Sequence, residues 1–306
     1  MILVDLSQII FSGIIVNLSD DLKKGRNNPA DNKQLIKHMV FMMLLGFKKK
    51  YSAEYGNMVL CADGKKYWRK EFFPSYKGHR KHDRAASPLD FSLIYEAIDE
   101  IKKDIRENFP WKLIELEDAE GDDIIAVLTK YTQTNELVQQ GLFDGEPQNN
   151  LIISSDGDLV QLQKYTNVSQ WNNQHKKWVK TANVHEYLIE HIAEGDAGDN
   201  IPSVMTPDQW SVDRSNGVKP QRQSPLKASL VRDLTLNDPT KILPKNLQGN
   251  WFRNQKLIDL DFIPSEIQSR IIDTYKAYEV KSSKMKLMNY FINNKMAKLM
   301  TELGDI

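Results

Sequence analysis

Apolar residues along the chain keep two rhythms. Short unbroken runs, each closing on an aspartate, alternate with longer stretches in which apolar residues return every three or four positions. The unbroken runs are Ile2-Leu3-Val4-Asp5, Met58-Val59-Leu60-Cys61-Ala62-Asp63 and Leu151-Ile152-Ile153-Ser154-Ser155-Asp156. They read as strands buried on both faces, and Trp111 to Leu116 is a weaker fourth. Asn32–Lys50 (Leu35, Ile36, Met39, Val40, Met43, Phe47) and Asp90–Asn108 (Leu93, Ile94, Ala97, Ile98, Ile101, Ile105) carry the spacing of one helix face. A helix over Asp122–Tyr131 follows the fourth strand directly. Strands alternating with helices predict an α/β fold, with a mainly parallel central sheet and helices on both faces.

After about Lys180 the strand signal fades. Ala182–Ala193, Leu226–Leu234, Ser265–Tyr278 and Lys284–Leu303 predict a smaller helical region. Thr206–Pro225, rich in Pro, Ser, Asn and Gln, reads as loop, and Gln133–Asn150 as a surface insertion. The expected division is an α/β core over residues 1–180 and a helical C-terminal domain over 181–306.

Composition narrows the class only a little. Forty-one Lys+Arg balance forty-one Asp+Glu in 306 residues, so charge informs through its placement alone. The single Cys61 allows no internal disulfide and no Cys-rich zinc site. Met39–Phe47, the longest apolar stretch, falls far short of the ~20 residues that span a bilayer. No basic region precedes Asp5, so no secretory leader is expected. A soluble cytoplasmic monomer, away from membranes, is the expectation.

Lys65, Lys66, Arg69, Lys70, Lys77, Arg80, Lys81 and Arg84 crowd one segment against only Glu71 and Asp83, with Tyr67, Trp68, Phe72, Phe73 and Tyr76 between them. Cations neutralise phosphates and aromatic faces stack on unpaired bases, which suits single-stranded nucleic acid. A solvated loop with aromatics tucked into the core is the competing reading. Lys164–Lys180 and Lys281–Lys298 add lysines without a carboxylate. Each alone reads as an exposed face.

Acid gathers where the strands end. Ligand sites in open parallel sheets form beyond the carboxyl ends of the strands, which is where Asp5, Asp63 and Asp156 fall. Asp158 follows in the turn Ser155-Asp156-Gly157-Asp158, and Glu120-Gly121-Asp122-Asp123 opens the helix after the fourth strand. One aspartate there is commonly a helix cap; four acidic strand ends ask for a cation. Oxygen ligands without convergent His or Cys select Mg²⁺, with Mn²⁺ as substitute. Six or seven carboxylates exceed the needs of one ion, whereas two ions could clamp the attacking and leaving oxygens of a phosphodiester.

These segments resemble the structure-specific 5′ nuclease (flap endonuclease and 5′-3′ exonuclease) family, in its phage T4-type ribonuclease H branch. The likeness runs through Val4-Asp5-Leu6-Ser7-Gln8, Val59-Leu60-Cys61-Ala62-Asp63, Phe73-Pro74-Ser75-Tyr76-Lys77-Gly78-His79-Arg80 and Glu120-Gly121-Asp122-Asp123. It continues in Ile152–Leu162 and Gly195-Asp196-Ala197-Gly198-Asp199-Asn200-Ile201-Pro202-Ser203-Val204. The resemblance implies one metal cluster near Asp5, Asp63, Glu120 and Asp122, and a second near Asp156, Asp158 and Asp199, with Asp122 or Asp123 between them. Asp196 and Asp199 would reach the site from the helical region. It makes residues about 64–90 a helical arch whose Lys77 and Arg80 grip the scissile phosphate or a threaded 5′ strand. It implies a helix–turn–helix variant at Gly195–Val204, holding duplex backbone with a monovalent cation; Met205-Thr206-Pro207-Asp208-Gln209-Trp210 departs from the expected Gly-rich turn.

The activity so implied is Mg²⁺-dependent 5′-3′ hydrolysis of RNA·DNA and DNA duplexes near 5′ ends or flaps, removing RNA primers in phage replication. Asp63 and Asp156 are the carboxylates on which catalysis is expected to depend most. A non-catalytic nucleic-acid-binding module and a PIN-type ribonuclease are the alternatives. An aspartyl phosphatase would need an acid two residues after Asp5, where Ser7 stands. Lys284, Lys286, Lys295 and Lys298 could attract the acidic tail of a single-strand binding protein; a terminal helix packed on the domain with its lysines solvated is the competing reading. A sliding clamp is not expected through an N-terminal peptide, since Met1 leads straight into the first strand.

Overall fold

The computed structural model describes residues 1–13, 29–87, 89–133 and 147–301. Six strands form one sheet: β1 (Ile2–Asp5), β2 (Met58–Ala62), β3 (Lys112–Glu115), β4 (Asn150–Ile153), β5 (Val168–Asn172) and β6 (Lys177–Val179). Their order is β3-β2-β1-β4-β5-β6, parallel except for β6 at one edge. The four strands read from the sequence are all present, and the architecture is the mainly parallel one they predict. Ile2 lies opposite both Met58 and Leu151, so β1, β2 and β4 end nearly level. The order reverses between β1 and β4, the place where such sheets open a crevice at their carboxyl ends.

Side chains alternate across the sheet. Ile2, Val4, Leu60 and Ile153 face a core built by helices Pro29–Tyr55 and Phe91–Asn108. Leu3, Val59, Cys61 and Ile152 face the other way, onto helices Gly121–Tyr131 and Ser265–Ala277. A third cluster ties Phe73 and Tyr76 to Ile192, Ile201, Trp251 and Leu257 of the helical region. Helix Lys284–Asn293 returns to the first core, burying Leu287, Tyr290 and Phe291. Residues beyond 181 therefore contribute to all three clusters. Among the described residues no helix is long and apolar enough to cross a membrane.

Several segments differ from the sequence reading. Lys164–Lys180, read only as an exposed basic face, does expose Lys164, Lys176, Lys177 and Lys180, but it is largely the β5–β6 hairpin, in which Trp171 meets Trp178 edge-on at 5.2 Å. Thr206–Pro225 contains the short helix Gln209–Ser215. Helix Lys245–Ile258 has no counterpart in the sequence reading; its polar sequence buries Trp251, Arg253, Asn254, Leu257 and Ile258. The helix expected over Lys284–Leu303 breaks after Asn293 and resumes at Ala297–Met300. Most of the expected insertion Gln133–Asn150 lies outside the described residues.

Candidate active site

Asp5 ends β1, and Asp63 follows β2. Asp156 follows β4 in the loop that leads to the 3₁₀ turn Asp158–Lys164. Short hydrogen bonds fix each loop. Gln8 N–H donates to Asp5 Oδ1 (3.0 Å) and Ser154 Oγ to Asp5 Oδ2 (3.0 Å). Gly121 N–H donates to Asp63 Oδ1 (2.7 Å), and Asp158 N–H to Asp156 Oδ1 (2.9 Å). Gly121 is also where the fold closes: a Cβ there would stand 3.3 Å from Asp63 Oδ1 and 3.8 Å from Asp5 Oδ1. The N-terminus of helix Gly121–Tyr131 can thus abut both carboxylates.

The electrostatic consequence is severe. Burial, and next Asp63, push Asp5 up to about 7. Burial, and next Asp158, push Asp156 up to about 8. Asp122 is raised well above the carboxylate range by burial and by Asp156 and Asp5. Acids packed so that they resist ionisation, with oxygen donors only, match the chemistry of a hard divalent cation site.

Two other acids are already neutralised. Lys77 Nζ pairs with Glu120 Oε1 and lies 3.3 Å from Asp199 Oδ2. Arg80 Nη2 meets Asp199 Oδ1 at 2.7 Å, and Tyr76 OH donates to Asp199 Oδ2 at 2.7 Å. Burial alone would raise Glu120 and Asp199, but Lys77 with Arg69 and Lys77 with Arg80, respectively, outweigh it and hold both below the usual range. The turn between helices Trp68–Phe72 and Arg80–Ala86 is thereby seated on the acids, with Lys77 N–H donating to Asp199 O (2.8 Å). Beside it, a cleft of about 750 Å³ is lined by Asp63, Lys65, Tyr67, Arg84, Phe91 and Tyr95, among others.

The family follows from the match along the chain. Residues 1–188 match the model of the 5′-3′ exonuclease N-terminal, resolvase-like domain, and residues 185–306 match the T4 RNase H C-terminal model. The chain belongs to the 5′-3′ exonuclease family, in its T4 RNase H branch. It is 31% identical to the ribonuclease H of Enterobacteria phage T4, over 99% of this chain and 94% of that protein. Among solved structures it resembles the T5 D15 protein co-crystallised with metal ions, at 18% identity and TM-score 0.57, over 91% of this chain and 99% of that one. It also resembles the T5 D15 flap endonuclease in complex with DNA and metal ions, at 17% identity and TM-score 0.56, over 90% and 98%. At that identity the likeness speaks for the fold alone.

The structure brings Asp5, Asp63, Glu120, Asp122, Asp156 and Asp199 to one crevice, with Asp158 and Asp196 at its side. It corrects three expectations. Arg69 does not reach outward for nucleic acid: it is 3% exposed and held by Glu120 (2.7 Å) and Asp123 (2.8 Å). Tyr76, 3% exposed, presents no face on which a base could stack. Asp123 is turned from the crevice, accepting from Glu120 N–H (3.0 Å), Trp68 Nε1 (3.1 Å) and Arg69; it caps helix Gly121–Tyr131 and ties it to helix Trp68–Phe72. Lys65, Lys66, Lys70, Lys81 and Arg84 are exposed. Sequence reasoning missed His191, whose Nε2 lies 2.6 Å from Asp158 Oδ1, and the brace Ser154.

Proposed function

We propose that this chain is a Mg²⁺-dependent 5′-3′ nuclease that cuts RNA·DNA and DNA duplexes near 5′ ends or flaps, removing RNA primers during phage replication. One observation carries the reading: carboxylates from the ends of β1, β2 and β4 and from the start of helix Gly121–Tyr131 meet at the sheet's switch point, beneath the cations of one turn. The relatives bearing the names ribonuclease H and flap endonuclease support it.

Asp5, Asp63, Glu120 and Asp122 would hold one divalent ion, and Asp156, Asp158 and Asp199 a second, with Asp196 close by. Bound there, the ions would neutralise charge on the phosphate and acidify water. The protein's own share is placement. Ser154 and Gln8 orient Asp5, the Gly121 amide orients Asp63, and Lys77 and Arg80 wait on Glu120 and Asp199, poised to pass to a phosphate. The exposed Lys65, Lys81 and Arg84 beside Tyr67, Phe91 and Tyr95 suit an unpaired 5′ strand. Lys284 and Lys286 flank Met285, 73% exposed, a surface suited to the acidic tail of a single-strand binding protein.

The test is an end-labelled nicked, flapped or RNA-primed duplex incubated with and without Mg²⁺. Release of short 5′ products only with Mg²⁺, lost in Asp63→Asn and Asp156→Asn, is the expected result. Near-normal cleavage by both variants rejects the site.

A further inference from the structure

Two residues beside the crevice hold a left-handed backbone without being glycine: Lys77, at φ +52°, and Asn200, at φ +66°. They are joined in space, because Lys77 N–H donates to Asp199 O (2.8 Å). Non-glycine residues persist in that region only where their surroundings over-determine them, and such places gather at functional sites. What over-determines these two is the side chain of Asn200, which is completely buried.

Asn200 ties three segments together. Its Nδ2 donates to Ser75 O (2.8 Å), in the turn that carries Lys77 and Arg80, and to Ser211 O (2.9 Å), in helix Gln209–Ser215. Its Oδ1 accepts from Arg214 Nη1 (3.1 Å), which also donates to Ala197 O (2.7 Å). Its own carbonyl accepts from Ser211 Oγ (2.7 Å). A primary amide supplies two N–H groups and an acceptor on one short plane, whereas an aspartate of the same shape has nothing to donate. The seat is tight at other points as well. A Cβ at Gly78 would stand 2.2 Å from Ser215 Oγ and 2.9 Å from Ser215 Cβ, and His82 Nε2 lies 3.1 Å from Ser215 O. Lys77 and Arg80 therefore reach Glu120 and Asp199 from a turn whose place is set by helix Gln209–Ser215.

We infer that Asn200 is a positioning residue for cleavage: it locks the turn of Lys77 and Arg80 to helix Gln209–Ser215 and so sets where the two cations stand over the acids. The inference rests on the nuclease reading. Buried as it is, Asn200 acts through Lys77 and Arg80. Removing the lock leaves both cations present but displaced, so it costs rate rather than affinity. With Lys77 and Arg80 gone, Asn200 has nothing left to position.

The experiment compares single-turnover cleavage of a flapped duplex in Mg²⁺, and affinity for that duplex without metal, between the whole chain and its Asn200→Gly variant. Glycine keeps the left-handed backbone and deletes only the carboxamide. The rate should fall by up to about 10²-fold, the cost of misplacing acting groups by about 1 Å, with affinity unchanged. The same substitution in a Lys77→Ala, Arg80→Ala chain should cost nothing further. An equal loss in both backgrounds, or a wild-type rate in Asn200→Gly, overturns the inference. Gly78→Ala displaces the turn from its other side and should also slow cleavage, and adding Ser215→Gly, which removes both obstructing atoms, should restore most of the rate. A Gly78→Ala chain that cuts normally, or that Ser215→Gly fails to correct, overturns it equally. Hydrogen exchange reads the lock without cleavage: the Lys77 amide should exchange faster in Asn200→Gly, with helix Gly121–Tyr131 unchanged. Faster exchange in both is a general loosening and counts against a positioning role. A wild-type chain that cuts no flapped duplex, while the Lys77 amide responds as expected, removes the nuclease reading and leaves the lock standing.

Discussion

Take the guanidinium away from Arg69 and Glu120 and Asp123 are left inside the protein without it. Removing one partner of a buried ion pair typically costs about 3–5 kcal/mol, so Arg69→Met should lower the urea midpoint by that equivalent. A loss below about 1 kcal/mol would mean the pairing in Arg69–Glu120–Asp123 is dispensable. Asp156 behaves in the opposite sense. Its carboxyl is held up by burial and by Asp158, so Asp156→Asn should raise the melting temperature of the metal-free protein. If Asp156 is a ligand of the proposed two-ion clamp, the same change should lower the cleavage rate by about 10³-fold. A variant that is both less stable and fully active would place Asp156 outside the cluster. What was legible at this scale was acid, and what was hidden was pairing. Arg69 sits among exposed basic residues and has their composition, but its two partners lie more than 50 positions away. His191 escaped notice for the same reason, its partner Asp158 being 33 positions distant.

Among elements, the inner strands could be read because both their faces are buried, which forces unbroken apolar runs: every residue of β1, β2 and β4 is buried. β5 and β6 could not. β5 alternates buried and half-buried positions and fills them with Ser, Gln and Asn, and β6 lies at the sheet edge with its first two residues exposed. Helix Lys245–Ile258 hides its pattern differently, spending core positions on Arg253 and Asn254, whose polar atoms bond Pro202 O and Ile192 O. The turn at Gly195 is a test of the helical region. An alanine there meets both a left-handed backbone and the Pro202 carbonyl, so Gly195→Ala should cost about 1–3 kcal/mol. Unchanged melting would show that the turn relaxes freely. In helix Arg80–Ala86, Lys81 and Arg84 are exposed, and the proposed function has them contact phosphates. The double variant Lys81→Ala, Arg84→Ala should flatten the log–log salt dependence of flap binding by about 0.7–0.9 for each phosphate no longer gripped. An unchanged slope would remove that helix from the proposed binding surface.

For the molecule as a whole, the acid cluster ties stability to pH. Asp5 and Asp156 bind protons more tightly folded than unfolded, with values near 7 and 8 against an ordinary 3.8. Between about pH 4 and 8 the folded state therefore carries the extra protons, and stability falls as pH rises through that window. Melting of the metal-free protein should drop steadily from pH 5 to pH 8, and saturating Mg²⁺ should flatten the profile by replacing protons with charge. A metal-free profile that rises over this range would contradict the clustering.

The first core also has a timetable. Its sheet face and helices Pro29–Tyr55 and Phe91–Asn108 are complete long before Leu287, Tyr290, Phe291, Met296 and Leu299 arrive to cover them. On the ribosome the central strand is made long before this wall, so growing chains carry an uncovered apolar face until residues 287–299 emerge. Tethered chains halted near residue 280 should be cut rapidly by protease and held by chaperones, and release of the remaining residues should abolish both.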